Sequence, residues 1–195
     1  ANFPVDTMHE LADICSEYQV PLFLDPTSDF KAKRCASCVP FTDIVKPNIS
    51  ELVTILQALK EIDPVGIILP DCYAKVSKAL TTGRSHDATS HILLNDIKDL
   101  SLSLWKLMNA QKSSSKPMIN GKHVITSMGE RGIIWVDSFG VAKHIQNGMK
   151  PMHSSQRVVN SNGAGDAFYA AVIAKTIESN TVNEDTLKYG IDVAS

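Results

Sequence analysis

The stretch Asn160-Ser161-Asn162-Gly163-Ala164-Gly165-Asp166 limits the folds open to this chain more than any other. It follows the apolar pair Val158-Val159 and runs directly into Ala167-Phe168-Tyr169-Ala170-Ala171-Val172-Ile173-Ala174, a helical string. A strand, a turn of small residues and a helix start are thereby predicted to meet at one carboxylate, Asp166. The first turn of a helix leaves backbone N–H groups unpaired at the positive end of the macrodipole. Small residues let an anion approach those groups closely. An acid beside such an anion hole suits phosphoryl transfer, in which the phosphate's charge is held while a proton leaves the attacking hydroxyl. A purely structural account is also open. Glycine permits tight strand-to-helix packing, and Asp in a first helical turn is favourable on dipole grounds alone.

A second junction of the same kind lies at Lys46-Pro47-Asn48-Ile49-Ser50-Glu51, between Asp43-Ile44-Val45 and Leu52-Val53-Thr54-Ile55-Leu56. Asn48 can cap the helix with Glu51 at its third position, a capping-box variant. Alternatively, the two side chains organise water, Mg²⁺ and phosphate oxygens at a sheet edge, since hard cations prefer oxygen ligands. The third element is Thr126-Ser127-Met128-Gly129-Glu130-Arg131-Gly132, between His123-Val124-Ile125 and Ile133-Ile134-Trp135-Val136. An ordinary turn between strands would look the same.

In this order the three elements resemble the ribokinase-like (PfkB) carbohydrate kinases, which show Asn-x-x-Glu, then a Thr-x-Gly-x-x-Gly-type nucleotide loop, then Gly-Ala-Gly-Asp. The resemblance implies a three-layer α/β/α fold, with a mainly parallel sheet and an antiparallel hairpin. It also implies ATP and Mg²⁺ as cofactors and phosphorylation of a sugar or nucleoside hydroxyl. By the same resemblance Asp166 is the catalytic base, and the Gly163, Ala164 and Gly165 backbone is the anion hole. Asn48 and Glu51 are the Mg²⁺/phosphate pair, while Thr126, Gly129, Gly132 and Asn162 lie along the nucleotide. The commoner family motif opens with Asp-Thr where this chain has Asn160-Ser161, which removes a carboxylate that would help seat the metal. Leu22-Phe23-Leu24-Asp25-Pro26-Thr27-Ser28 resembles the acidic-Pro-Thr-Ser segment of pseudouridine kinases, so the expected acceptor is the 5′-hydroxyl of pseudouridine. Ribose or adenosine is the alternative within the family, and a non-catalytic nucleotide-binding module is the alternative outside it. The resemblance further implies a C-terminal-side portion of a longer kinase, lacking the lid and early strands, so that residues 1–195 alone are expected to be inactive. Homodimerisation and a fused or partner pseudouridine-5′-phosphate glycosidase also follow from the resemblance.

At 195 residues with 44% hydrophobic and 21% charged side chains, the chain can bury one sizeable core, and a single α/β domain over residues 1–195 is expected. The net charge of -2 carries no nucleic-acid footprint, and Lys31, Lys33 and Arg34 read as a solvated helix face. No apolar run is long enough to cross a bilayer. Cys15, Cys35, Cys38 and Cys72 are too scattered for a disulfide framework, and reduced thiols fit a cytoplasmic protein. Cys35-Ala-Ser-Cys38 has metal or redox spacing, but no second pair completes it. His144 and His153 belong to no nucleophilic triad, and His86 and His91 are too far apart for a one-turn metal pair.

Periodicity predicts alternating strands and helices, hence a mainly parallel sheet. A capping box at Thr7-Met8-His9-Glu10 opens a helix presenting Met8, Leu11, Cys15 and Tyr18 to a sheet. Strands follow at 20–25 and 43–46, and helices at 31–36, 49–59 and 92–110. Leu52, Val53 and Leu56 point inward from one of these helices, and Ile97, Leu100, Leu104 and Leu107 line another. Residues 65–69 read as a strand or as part of a helical insertion. Strands at 124–127 and 133–137 are joined by an antiparallel partner at 141–145. Trp105 and Trp135 are expected in the core, and the polar loop 146–156 beside the adenine. All three motifs then lie at carboxyl ends of strands, where ligands bind in open α/β sheets.

Overall fold

The structure is a computed structural model and describes residues 2–82, 92–110, 119–146 and 163–194. Five strands form one sheet in sequence order: β1 (Phe23–Leu24), β2 (Ile44–Val45), β3 (His123–Ser127), β4 (Ile133–Val136) and β5 (Ala142–Ile145). The first three are parallel, and β3, β4 and β5 are joined antiparallel. Around it lie helices α1 (Val5–Glu17), α2 (Asp29–Cys35), α3 (Ile49–Ile62), α4 (Tyr73–Thr82), α5 (Leu94–Ala110), α6 (Ala164–Ser179) and α7 (Glu184–Ala194), with short 3-10 helices at Ala36–Phe41 and Gly129–Arg131.

Strand alternation divides the core into two layers. Val45, Val124, Ile134 and Val136 face α3 and α5, where Leu52, Ile55, Leu56, Ile97, Leu100 and Leu104 are buried. Ile44, Ile125, Ile133, Trp135 and Ile145 face α6 and α7, against Phe168, Tyr169, Val172 and Leu187. The three-layer α/β/α arrangement expected from the sequence is therefore present. The hairpin, α3 and α5 match their predicted positions, with Met108 taking the buried place assigned to Leu107. Among the described residues no helix is long and apolar enough to cross a membrane.

Three local expectations are corrected. Helix α1 starts at Val5 behind Pro4 with no side-chain cap, so Thr7 lies within it and forms no capping box. Its buried residues are Met8 and Ala12, while Leu11 and Tyr18 are exposed. Met8 packs with Cys35 and Cys38, and the sheet reaches this cluster through Leu24 of β1. Residues 65–69 are neither strand nor helix: Val65 and Ile68 are exposed, and the Asp63 carboxylate accepts the Gly66 N–H in a tight turn. The first two strands are also shorter than the apolar runs that announced them.

Of the basic cluster, Lys33 pairs with Glu61 at 3.0 Å on an exposed face, whereas Lys31 and Arg34 are half-buried and the Arg34 guanidinium lies over the Phe30 ring. Cys35 and Cys38 are free, buried thiols, and burial pushes Cys35 up to about 12, which leaves it without thiolate character.

His123 joins the hairpin to the α6–α7 layer. Its Nδ1 accepts from the Trp135 indole at 3.2 Å, and Nε2 lies 3.1 Å from Asn120 Oδ1. Asn120 in turn accepts from Val182 N and donates to Val182 O, which ties the segment before α7 to β3. Only the neutral ring satisfies this set, because a protonated Nδ1 cannot accept from Trp135. Burial accordingly lowers the His123 pKa to about 4 from 6.5. The unfolded chain then binds more protons between these values. Stability contributed by the neutral ring is intact above pH 6.5 and is lost as pH falls to about 4. Urea unfolding of wild type and His123→Gln across pH 4–7 should show a steeper loss in wild type, differing by about 3 kcal/mol over the window. Parallel pH profiles would contradict this role.

Candidate functional site

The three parallel strands end side by side, and the segment after β2 stitches their exits together. Lys46 N donates to Leu24 O at 3.0 Å, and Ser127 N donates to Pro47 O at 2.9 Å. Asn48 and Ser127 form an isolated parallel bridge. The Asn48–Glu51 junction and the Gly129–Gly132 turn therefore share one sheet edge.

Asn48 caps α3 in a complete reciprocal box. Its Oδ1 accepts from Glu51 N at 2.9 Å, and Glu51 Oε2 accepts from Asn48 N at 2.9 Å. The capping reading of the motif is present, and the box fixes both rotamers while leaving Asn48 Nδ2 and Glu51 Oε1 outside it. Glu51 is 4% exposed. Burial raises its pKa, and nearby Asp25 and Asp29 push it the same way, against the Asn48 N–H and Lys46.

The turn after β3 is built on two glycines with positive φ, 62° at Gly129 and 82° at Gly132. Gly132 N donates to Gly129 O, and Met128 N donates to Gly132 O. Thr126 does not reach this turn. It is fully buried on the α5 side of β3, with its hydroxyl 2.7 Å from Ser101 Oγ. Period-two alternation puts Ser127 on the opposite face, the one that packs against α6. Ser127, half-buried and bridged to Asn48, is the hydroxyl positioned at the strand exit. A shallow cleft lined by Leu94, Glu130, Arg131, His144 and Gln146 opens beside the turn. The His144 ring there hydrogen-bonds Arg131 O.

Helix α6 begins after Gly163, whose φ of 85° and open surroundings favour glycine. No side chain among the described residues caps this end, where a helix leaves its first amides without partners inside the helix. Asp166 is exposed in that turn and forms no ion pair among the described residues. Asn160 and Asn162, the strand expected before them, and most of the loop 146–156 lie outside the described residues.

One participant was not recognised from sequence. Lys46, only 6% exposed, projects between β1, β2 and α6. Its ammonium lies 3.0 Å from Asp25 Oδ2 and 5.5 Å from the centre of the Tyr169 ring. A Cβ placed on Gly165 would stand 3.7 Å from Lys46 Nζ, so the ammonium underlies the α6 turn. The Tyr169 hydroxyl lies 3.1 Å from Ile44 O and 3.3 Å from Leu24 O, which pins the same helix to β1 and β2. Asp25 also accepts the Thr27 N–H at 3.0 Å, and Thr27 holds a φ of 64°, an uncommon conformation for a β-branched residue. The Asp25-Pro26-Thr27-Ser28 segment, the α3 junction and the α6 turn thus surround one lysine.

No group of three or more metal-ligating side chains gathers among the described residues. The acids near Lys46 suit a hard cation that keeps most of its waters: Glu51 has one carboxylate oxygen uncommitted to the cap, and Asp25 stands close by. Asn48 Oδ1 is already accepting from Glu51 N, so its amide is better placed to donate to a phosphate oxygen than to ligate a metal.

Residues 102–195 match the family model described as pfkB family carbohydrate kinase. This stretch holds the glycine turn and the α6 turn, and Asn48 and Glu51 lie before it. No curated protein matches the chain. Its fold is similar to that of Anopheles gambiae adenosine kinase solved with P1,P4-di(adenosine-5) tetraphosphate, at a TM-score of 0.64 and 15% identity over 97% of this chain and 45% of that one. Adenosine kinase from Schistosoma mansoni in complex with 2-fluoroadenosine gives 0.62 and 17%, over 97% and 45%. Ribokinase from Cryptococcus neoformans in complex with ADP gives 0.57 and 14%, over 98% and 53%. The chain therefore shares the ribokinase-like fold and spans about half the length of these kinases.

The buried Glu51 carboxylate carries a measurable cost. Because its folded pKa is raised above 4.5, ionisation disfavours the folded state, and wild type gives up stability as pH rises through that value. Glu51→Gln keeps an acceptor at the third helical position and removes the charge. Its urea midpoint should exceed that of wild type at pH 7, with the gain shrinking toward pH 4. A midpoint below wild type at pH 7 would show that the carboxylate stabilises the fold.

Proposed function

We propose that this chain is the nucleotide-binding part of a carbohydrate or nucleoside kinase that transfers the γ-phosphoryl of ATP to a hydroxyl, most specifically the 5′-hydroxyl of pseudouridine. The observation that carries the proposal is the convergence of an exposed carboxylate and the first-turn amides of α6, which no described side chain caps and which Lys46 underlies at the exit of β2. In the transfer, Asp166 takes the proton of the acceptor hydroxyl as its oxygen bonds to the γ-phosphorus. The bond from that phosphorus to the bridging oxygen breaks, and ADP leaves with those electrons. The amides of Gly163, Ala164 and Gly165 hold the charge on the transferred group, as preorganised dipoles do best in a site that excludes water. Gly129, with open space where a side chain would stand, leaves room for the nucleotide to approach the backbone, Gly132 closes the same turn, and Ser127 replaces Thr126 as the hydroxyl of that loop. Mg²⁺ would supply charge neutralisation on the phosphates, and Glu51 and Asp25 would hold it.

The pfkB match over residues 102–195 and the shared fold support a kinase. The acceptor assignment rests on Asp25-Pro26-Thr27-Ser28. That segment meets the site through the Asp25–Lys46 pair and carries the strained Thr27 beside it. The adenosine kinases among the structural neighbours make a nucleoside acceptor compatible with this fold. With pseudouridine as acceptor, a fused or separate pseudouridine-5′-phosphate glycosidase is the partner that would consume the product.

The test uses the complete natural protein with ATP, Mg²⁺ and a panel of pseudouridine, uridine, adenosine and ribose, with phosphorylated product detected by mass. Pseudouridine should be turned over best. Asp166→Asn should lower kcat on the order of 10²–10⁴-fold without altering the unfolding midpoint by much. Product from ribose or adenosine but not pseudouridine would move the substrate assignment, and near-normal turnover by Asp166→Asn would remove the base from the mechanism.

A further inference from the structure

Lys46 is a costly residue to place where it is. A buried ammonium must be paired and hydrogen-bonded to stay charged, and its partner Asp25 comes from a different strand exit, with a side chain 19% exposed. Its environment is oriented rather than merely tolerated. The Tyr169 ring lies beneath the ammonium, and Gly165 lies beside it, close enough that a Cβ there would stand 3.7 Å from Nζ. Glu51 feels the same charge, which opposes the rise in its pKa. An apolar side chain at position 46 would fill this space without any desolvation cost, so packing alone does not explain a lysine.

We infer that Lys46 is a positioning residue for the transferred phosphate. Its ammonium, fixed by Asp25 and Tyr169, seats the first turn of α6 against β1 and β2 and adds a permanent positive charge beneath the Gly163–Gly165 amides. The inference rests on the proposed kinase reading and deepens it. Amides alone present partial charges at a helix end, and those weaken steeply with distance. A full charge behind Gly165 strengthens the same cradle without occupying it, and Asp25 keeps the ammonium from swinging toward Glu51. Because the seat also fixes the height of Asp166 over the sheet, loss of Lys46 should lower kcat more than it raises the KM for the acceptor. Small misplacements of reacting groups cost about 10²-fold in rate.

The probe is tripolyphosphate without metal or nucleotide, titrated calorimetrically into the complete protein. Lys46→Met should bind it about tenfold more weakly than wild type, and Lys46→Arg should regain most of the affinity. Should Lys46→Met alone fail to fold with Asp25 left unpaired, the double variant Asp25→Asn/Lys46→Met supplies the test. It keeps the net charge of the pair at zero, so any loss of affinity reports the position of the ammonium rather than the overall field. Removing Asp25's negative charge should by itself favour an anion, so weaker binding in the double variant supports Lys46 all the more strongly. Affinity within twofold of wild type in Lys46→Met or the double variant overturns the role of Lys46 while leaving the kinase reading in place. A wild-type protein that binds no tripolyphosphate and phosphorylates no acceptor overturns both.

Discussion

The site depends on the backbone ladder that runs across the exits of three parallel strands. Lys46 N to Leu24 O and Ser127 N to Pro47 O are ordinary hydrogen bonds, each worth about 1 kcal/mol net. Their consequence is geometric. They hold the residue before each loop at a common level, so side chains separated by as many as 102 positions in sequence, such as Asp25 and Ser127, emerge at one edge. The α6 turn is brought to the same edge from the other layer by Tyr169, whose hydroxyl reaches the carbonyls at Leu24 and Ile44. Function on this fold is therefore a matter of register: slipping β2 by one residue would send Lys46 to the α3 face and bring Pro47 to α6.

Charge at this edge is arranged in opposition. Lys46 stands between the acids Asp25 and Glu51 on one side and the amide-rich α6 turn on the other. Asp25 and Glu51 suit a hydrated cation, while the turn suits an anion, and a metal–triphosphate combines both. The cost appears in Glu51, whose carboxylate is held in a buried position that raises its pKa. A capping box needs only an acceptor at that position, and burial disfavours the charged form of the one that stands there. Stability given up at a site is commonly the mark of a residue retained for chemistry.

Much of this was legible in the sequence where the signal is local. The α3 cap announces itself because Asn48 and Glu51 are three residues apart, and Leu52, Val53 and Leu56 repeat at helical spacing. The glycine turn and the start of α6 are equally local, since positive φ at Gly129, Gly132 and Gly163 restricts residue choice. What escaped depends on distant partners. Which of Thr126 and Ser127 is left at the strand exit is decided by α5, whose Ser101 captures Thr126. Lys46 looks like a solvent-exposed lysine until Asp25, 21 residues earlier, is folded beside it. On α1 the buried face is set by Met8 and Ala12, and Met8 packs against Cys35 and Cys38, which lie 27 and 30 residues later in the sequence.

The most direct test of the whole account is amide hydrogen exchange on the complete protein, with and without ADP and Mg²⁺. If the α6 turn is the phosphate cradle, the amides of residues 163–166 should slow together with those of 127–132, while the α1 amides stay unchanged. Saturating nucleotide that leaves residues 163–166 exchanging at their free rate would contradict it.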